Sequence, residues 1–79
     1  MNYLIDGKEI ANNIRAERNR YGKTQEEIAN QSGISLKTYI EYEKDASKVK
    51  AIVLYNIAMA IGCTIESFYL QKPSTKREV

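Results

Sequence analysis

The chain has 79 residues, 43% of them apolar, with a net charge of +2, one cysteine and no histidine. Such a length holds one modest core and excludes a second domain within these residues. A lone cysteine excludes an internal disulfide and, without histidine, a zinc site, while the small positive charge permits a nucleic-acid partner without demanding one.

A reducing, cytoplasmic setting is expected from this cysteine usage, and Cys63 reads as a small core residue rather than a reactive thiol. No apolar run is long enough to span a bilayer, and no basic-then-apolar leader opens the chain.

In chain order, five short helices are expected. Asp6 is a good N-cap, with Glu9 three residues on to complete a capping box and Ile5 placed to staple to Ile10. The first helix then shows an apolar face at Ile10, Ile14 and Tyr21, with Arg18 on that same face, and Gly22 ends it. Thr24 and Glu27 form a second capping box, Ile28 and Ala29 face inward, and Gly33 is placed for a left-handed cap. Ser35 caps the third helix, whose inward positions are Tyr39, Tyr42 and Ala46. The fourth is expected from Val49 to Ile61. It is apolar nearly all round, which predicts a place in the middle of the protein. Gly62 caps it, and a short fifth helix follows Thr64 with Ile65, Phe68 and Tyr69. The fold class is therefore all-α, a compact bundle of five short helices. Residues 1–7 read as an N-terminal arm, 8–71 as the domain and 72–79 as a polar, disordered tail.

Residues 25–44 meet the demands of a helix-turn-helix. That motif needs a small residue where two helices cross, a glycine at positive φ in the turn, and apolar residues holding the second helix to the body. Counting from Gln25, Ile28 is fourth, Ala29 fifth, Gly33 ninth, Ile34 tenth, Tyr39 fifteenth and Tyr42 eighteenth. One match would mean little; the joint match, with caps at Thr24 and Ser35, is specific.

These residues carry a resemblance. Through "TQEEIANQSGIS", "YIEYEK" and "LYNIAMAIGCTIESFY", the chain resembles the phage repressor and Cro type of helix-turn-helix domain, also called Xre-like, over about residues 8 to 70. The resemblance implies the lambda-repressor-like fold. It also implies a two-fold homodimer that binds operator DNA, with the second helix of the motif in the major groove. In the family, the position that Lys37 matches reaches base edges, and a glutamine at the position of Gln25 bonds a backbone phosphate. Three departures stand out. Asp45 replaces a common glycine after the recognition helix, Lys23 replaces an apolar residue before the cap, and the face with Leu36 and Ile40 is more apolar than is usual for direct readout.

If Tyr39 and Tyr42 point inward, the helical period turns Leu36, Lys37, Ile40, Glu41 and Lys44 outward. Lys37 suits guanine O6 or N7, Leu36 and Ile40 suit thymine methyl groups, and Glu41 suits cytosine N4 or a neighbouring lysine. Expected backbone contacts are Thr24, Gln25, Ser35, Lys44, Ser47, Lys48 and Lys50, with Arg15 and Lys23 as further candidates. The competing reading of these lysines is a solvated face.

Arg18 and Glu43 both fall on inward faces, so they are expected to pair, since either alone is costly to bury; the alternative is that each reaches water independently. Ile65, Tyr69 and Leu70 are the expected dimer interface, with "NYLI" as another candidate. Neither a cofactor nor a small-molecule ligand is expected, and an enzyme is a poor reading because no nucleophile–base arrangement is visible. The function expected is a double-stranded DNA-binding transcriptional regulator, a repressor on an inverted-repeat operator. The alternative is an interaction module, antitoxin- or antirepressor-like, docking a protein on Leu36 and Ile40.

Overall fold

Asp6 stands where the chain first turns helical. Its carboxylate accepts the Glu9 N–H at 2.9 Å, and the Glu9 carboxylate accepts the Asp6 N–H at 3.3 Å. From this box runs α1, Gly7–Arg20. The computed structural model describes residues 4–70; residues 1–3 and 71–79 lie outside the described residues, and with them the expected tail and part of the arm.

Three more α-helices follow: α2 (Gln25–Ser32), α3 (Leu36–Tyr42) and α4 (Ala51–Ile61). Thr24 and Glu27 close the second capping box at 3.0 and 2.8 Å, and the Ser35 hydroxyl accepts the Thr38 N–H at 3.1 Å. Gly33 turns the chain between α2 and α3 at φ 75°. A Cβ there would meet nothing within 4 Å, so the backbone angle alone asks for glycine.

The expected fifth helix is a single 3-10 turn, Ile65–Phe68. Four residues close too few bonds to propagate an α-helix, and Thr64 contributes no side-chain cap. The described residues thus form four α-helices and one 3-10 turn, with no strand among them.

Ile14, Ile28, Tyr39, Ile57, Ile61 and Phe68 are fully buried and bring α1, α2, α3, α4 and the 3-10 turn into one core. α2 packs against both α3 and α4, so it is the shared wall. The Asn13 amide ties α1 to the Phe68 carbonyl at 2.7 Å. Cys63 is partly buried against this core.

Three expectations change. Tyr21 is not inward but 46% exposed, because α1 ends there as the chain turns into Gly22. α4 starts at Ala51, not Val49, with Lys50 as its cap residue. It is also not enclosed: Leu54, Ile57, Ala58 and Ile61 are buried while Ile52, Tyr55 and Met59 are 51–68% exposed. Two neighbouring layers cover one side of a helix, and a chain this small has nothing left for the other side.

Candidate nucleic-acid interface

α3 is held from behind. Tyr39 is fully buried, Tyr42 is half-buried at the core edge, and Glu43 follows the helix into the interior. The period then turns Leu36, Lys37, Glu41 and Lys44 to solvent, with Ile40 half-buried beside them. All five expected outward residues share this face. Leu36 is 41% exposed, and Lys44 Nζ lies 4.0 Å from Glu41 Oε2.

Glu43 fixes the helix end. Arg18 Nε donates to Oε2 at 2.6 Å and Nη2 to Oε1 at 3.2 Å, a two-pronged pair across 25 residues of sequence. The expected pair is therefore present, with side chains 11% and 3% exposed. The Tyr39 hydroxyl donates to Oε2 at 2.5 Å and the Gln25 amide to Oε1 at 3.0 Å. Burial alone would raise the Glu43 pKa. The hydrogen bonds from Arg18, Tyr39 and Gln25, together with the Arg18 charge, outweigh it and hold the carboxyl below its ordinary value. For Tyr39, burial and the bond to Glu43 push the phenol pKa up, so it stays neutral and remains a donor.

This network changes the setting of Gln25. It stands at the start of α2, as expected, but its amide donates to Glu43. Spacing made Gln25 and Glu43 candidates separately; only the folded crossing of α2 and α3 brings them together.

The other expected backbone contacts are placed unevenly. Lys44, Lys48 and Lys50 are exposed in and after the turn that leaves α3. Thr24 and Ser35 are exposed at two helix starts, with their hydroxyls already accepting backbone N–H groups. Ser47 donates both its N–H (3.0 Å) and its hydroxyl to Asp45 Oδ1, so its donors are engaged within the turn. Those Ser47 bonds, the hydroxyl first, hold the Asp45 carboxyl below its ordinary pKa, with the nearby Lys8 and Lys48 charges adding to the effect. Asp45 keeps an ordinary negative φ, so no left-handed geometry is required at the position where the family often has glycine.

Two further candidates have structural duties. Lys23 Nζ donates to the Ala60 carbonyl at 3.2 Å, closing the end of α4. Arg15 Nη1 donates to the Glu43 carbonyl at 2.9 Å, closing the end of α3. Cationic side chains are favoured at helix C-termini, and sequence position alone did not show which termini would be near.

Of the expected dimer residues, Ile65 packs against the core, while Tyr69 and Leu70 are 42% and 62% exposed. A 3-10 turn puts Ile65 and Phe68 on one side, which the core claims.

The comparisons with known proteins agree with this geometry. A family model described as helix-turn-helix matches residues 14–68. Among solved structures, the clp gene regulator ClgR from C. glutamicum is similar at 22% identity and TM-score 0.73, over 78% of this chain and 80% of that one. The restriction-modification controller protein C.AhdI from Aeromonas hydrophila is similar at 20% identity and TM-score 0.72, over 77% of this chain and 92% of that one. At these identities the likeness is one of fold. A comparison with curated proteins finds no significant match.

Proposed function

Because the chain belongs to the Xre-like helix-turn-helix family of DNA-binding regulators, which are not enzymes, we propose that it is a sequence-specific repressor of transcription. It binds an inverted-repeat operator in double-stranded DNA as a homodimer. One observation carries this reading: Tyr39 and Glu43 clamp α3 from behind, leaving Leu36, Lys37, Ile40, Glu41 and Lys44 together on its outer face. A short, rigidly backed helix with lysine near its start is suited to the major groove. The names of ClgR, a gene regulator, and C.AhdI, a restriction-modification controller, fit a regulatory role.

In this reading Lys37 donates to guanine, and Glu41 accepts from cytosine or orients Lys44. Leu36 and Ile40 lie on thymine methyl groups. Gln25, Lys44, Lys48 and Lys50 meet phosphates, together with the starts of α2 and α3 at Thr24 and Ser35. Ser47 contributes only if it leaves Asp45. The setting is cytoplasmic. Among the described residues no helix is long and apolar enough to cross a membrane.

The dimer forms through exposed apolar surface. Tyr69 and Leu70 offer part of it. α4 offers more: Ile52, Tyr55 and Met59 are exposed along one side of a helix that has no charged residue. Such a strip meets its own copy without like charges facing each other, as a two-fold interface requires.

A second reading rests on the 41% exposure of Leu36, an apolar side chain at the front of the reading face. It makes α3 a protein-docking helix, antitoxin- or antirepressor-like.

The test is selection of the protein against random duplex DNA, followed by a salt titration on the enriched sequences. The repressor reading expects an inverted repeat with half-sites about one helical turn apart, and affinity falling steeply with salt. No enrichment above a salt-sensitive background would favour the protein-docking reading.

A further inference from the structure

The start of α1 is keyed into the turn that follows α3. The Ala46 N–H donates to the Gly7 carbonyl at 3.0 Å. A Cβ on Gly7 would lie 2.5 Å from the Ser47 nitrogen and 2.8 Å from Ser47 Cβ, and would also strike Asp45 Oδ1. Only glycine allows two backbones this close. The neighbour of this glycine is Lys8, an exposed cation in the first turn of α1, where the helix dipole gives it no favour. Asp45 Oδ1 accepts from Ser47 and lies at the Gly7 seam. Lys48 stands on the same turn, and Lys44 precedes it.

We infer that Lys8 is a DNA-backbone contact: the Gly7 seam brings it to the turn of Lys44 and Lys48, where the three cations meet a phosphodiester. This rests on the DNA-binding reading above. Asp45 alone would repel a phosphate approaching that turn. Its Oδ1 is occupied by Ser47, and the Lys8 and Lys48 charges both act on it, so Lys8, Lys44 and Lys48 outnumber this one carboxylate at the turn. Because a phosphate contact carries no base information, Lys8 adds affinity and register rather than sequence preference.

The experiment is a salt titration of the full chain on the selected duplex, with Lys8→Gln and Lys8→Arg beside the unaltered protein. Each neutralised phosphate contributes a slope of about 0.9 in log affinity against log salt. Lys8→Gln is expected to lower the slope by about that amount, with several-fold weaker binding at low salt and the same base preferences. Lys8→Arg is expected to keep the slope. Gly7→Ala, which pushes α1 off the turn without changing charge, is expected to lower it like Lys8→Gln; if that variant does not fold, the Lys8 pair decides. An unchanged slope for Lys8→Gln overturns the inference and leaves the DNA-binding reading intact. Absence of salt-dependent DNA binding by the unaltered protein overturns both.

Discussion

Arg18 and Glu43 form a two-pronged ion pair, 2.6 and 3.2 Å long, that joins the middle of the first helix to the end of the third. The Glu43 carboxylate accepts both Arg18 bonds and one each from Gln25 and Tyr39. Such a centre orients more than it stabilises, because taking both charges out of water offsets much of their attraction. Breaking it is another matter.

Arg18→Ala leaves a carboxylate buried with its main partner gone. We expect destabilisation of about 3–5 kcal/mol, read as a shift in urea midpoint, with Glu43→Ala similar. Replacing the two together with methionine and leucine is expected to recover most of the loss. If the double replacement is as unstable as either single one, the pair contributes net stability rather than orientation.

The same carboxylate sets an acid limit. Its pKa is lower folded than unfolded, so its stabilising share is complete above the ordinary value of 4.5 and is lost as pH falls from there through the folded value. Urea midpoints of the unaltered protein are expected to drop across that range. Glu43→Gln, which cannot titrate there, is expected to show a shallower drop, and equal slopes would remove Glu43 as the cause.

Lys37→Ala is expected to relax preference at one base position, costing about 1–3 kcal/mol on the selected site and little on sites altered at that base. Competition binding with single-base variants checks this. A uniform loss on every sequence would make Lys37 a phosphate contact.

Gln25→Ala removes an amide that holds Glu43 and stands at the start of the second helix. On the proposed reading, in which Gln25 meets a phosphate and steadies α3, weaker binding with unchanged base preferences is expected. An altered preference in the same selection would place Gln25 among the base-reading residues.

The two proposed dimer faces separate by mutation. Tyr55→Glu puts a charge in the middle of the uncharged side of the fourth helix, at a residue 51% exposed, so folding is expected to survive while sedimentation shifts towards monomer and operator affinity falls. Leu70→Glu tests the other patch in the same way. If only Leu70→Glu dissociates the protein, the interface lies at the end of the domain rather than along the helix.

The sequence alone determined what local rules govern. Asp6 with Glu9, and Thr24 with Glu27, announce helix starts because a capping box is closed within four residues. Gly33 announces the turn because only its φ of 75° is asked for, with no neighbour involved. Tyr39 and the outer face of its helix follow from the period, since one side there is covered and the other is not. Even the Arg18–Glu43 pair was legible, as two opposite charges on inward faces.

Tertiary structure decided the rest. An almost wholly apolar fourth helix gives no period from which to read its bare side, so the exposure of Ile52, Tyr55 and Met59 depends on which layers reach it. The partners of Lys23 and Arg15 are helix ends from elsewhere in the chain, and Gln25 reaches Glu43 only where two helices cross. Gly7, which sequence reading left in the N-terminal arm, proved to be the point where two distant backbones touch. Contacts of that kind are set by how helices dock, and docking is a property of whole faces rather than of any short stretch of sequence.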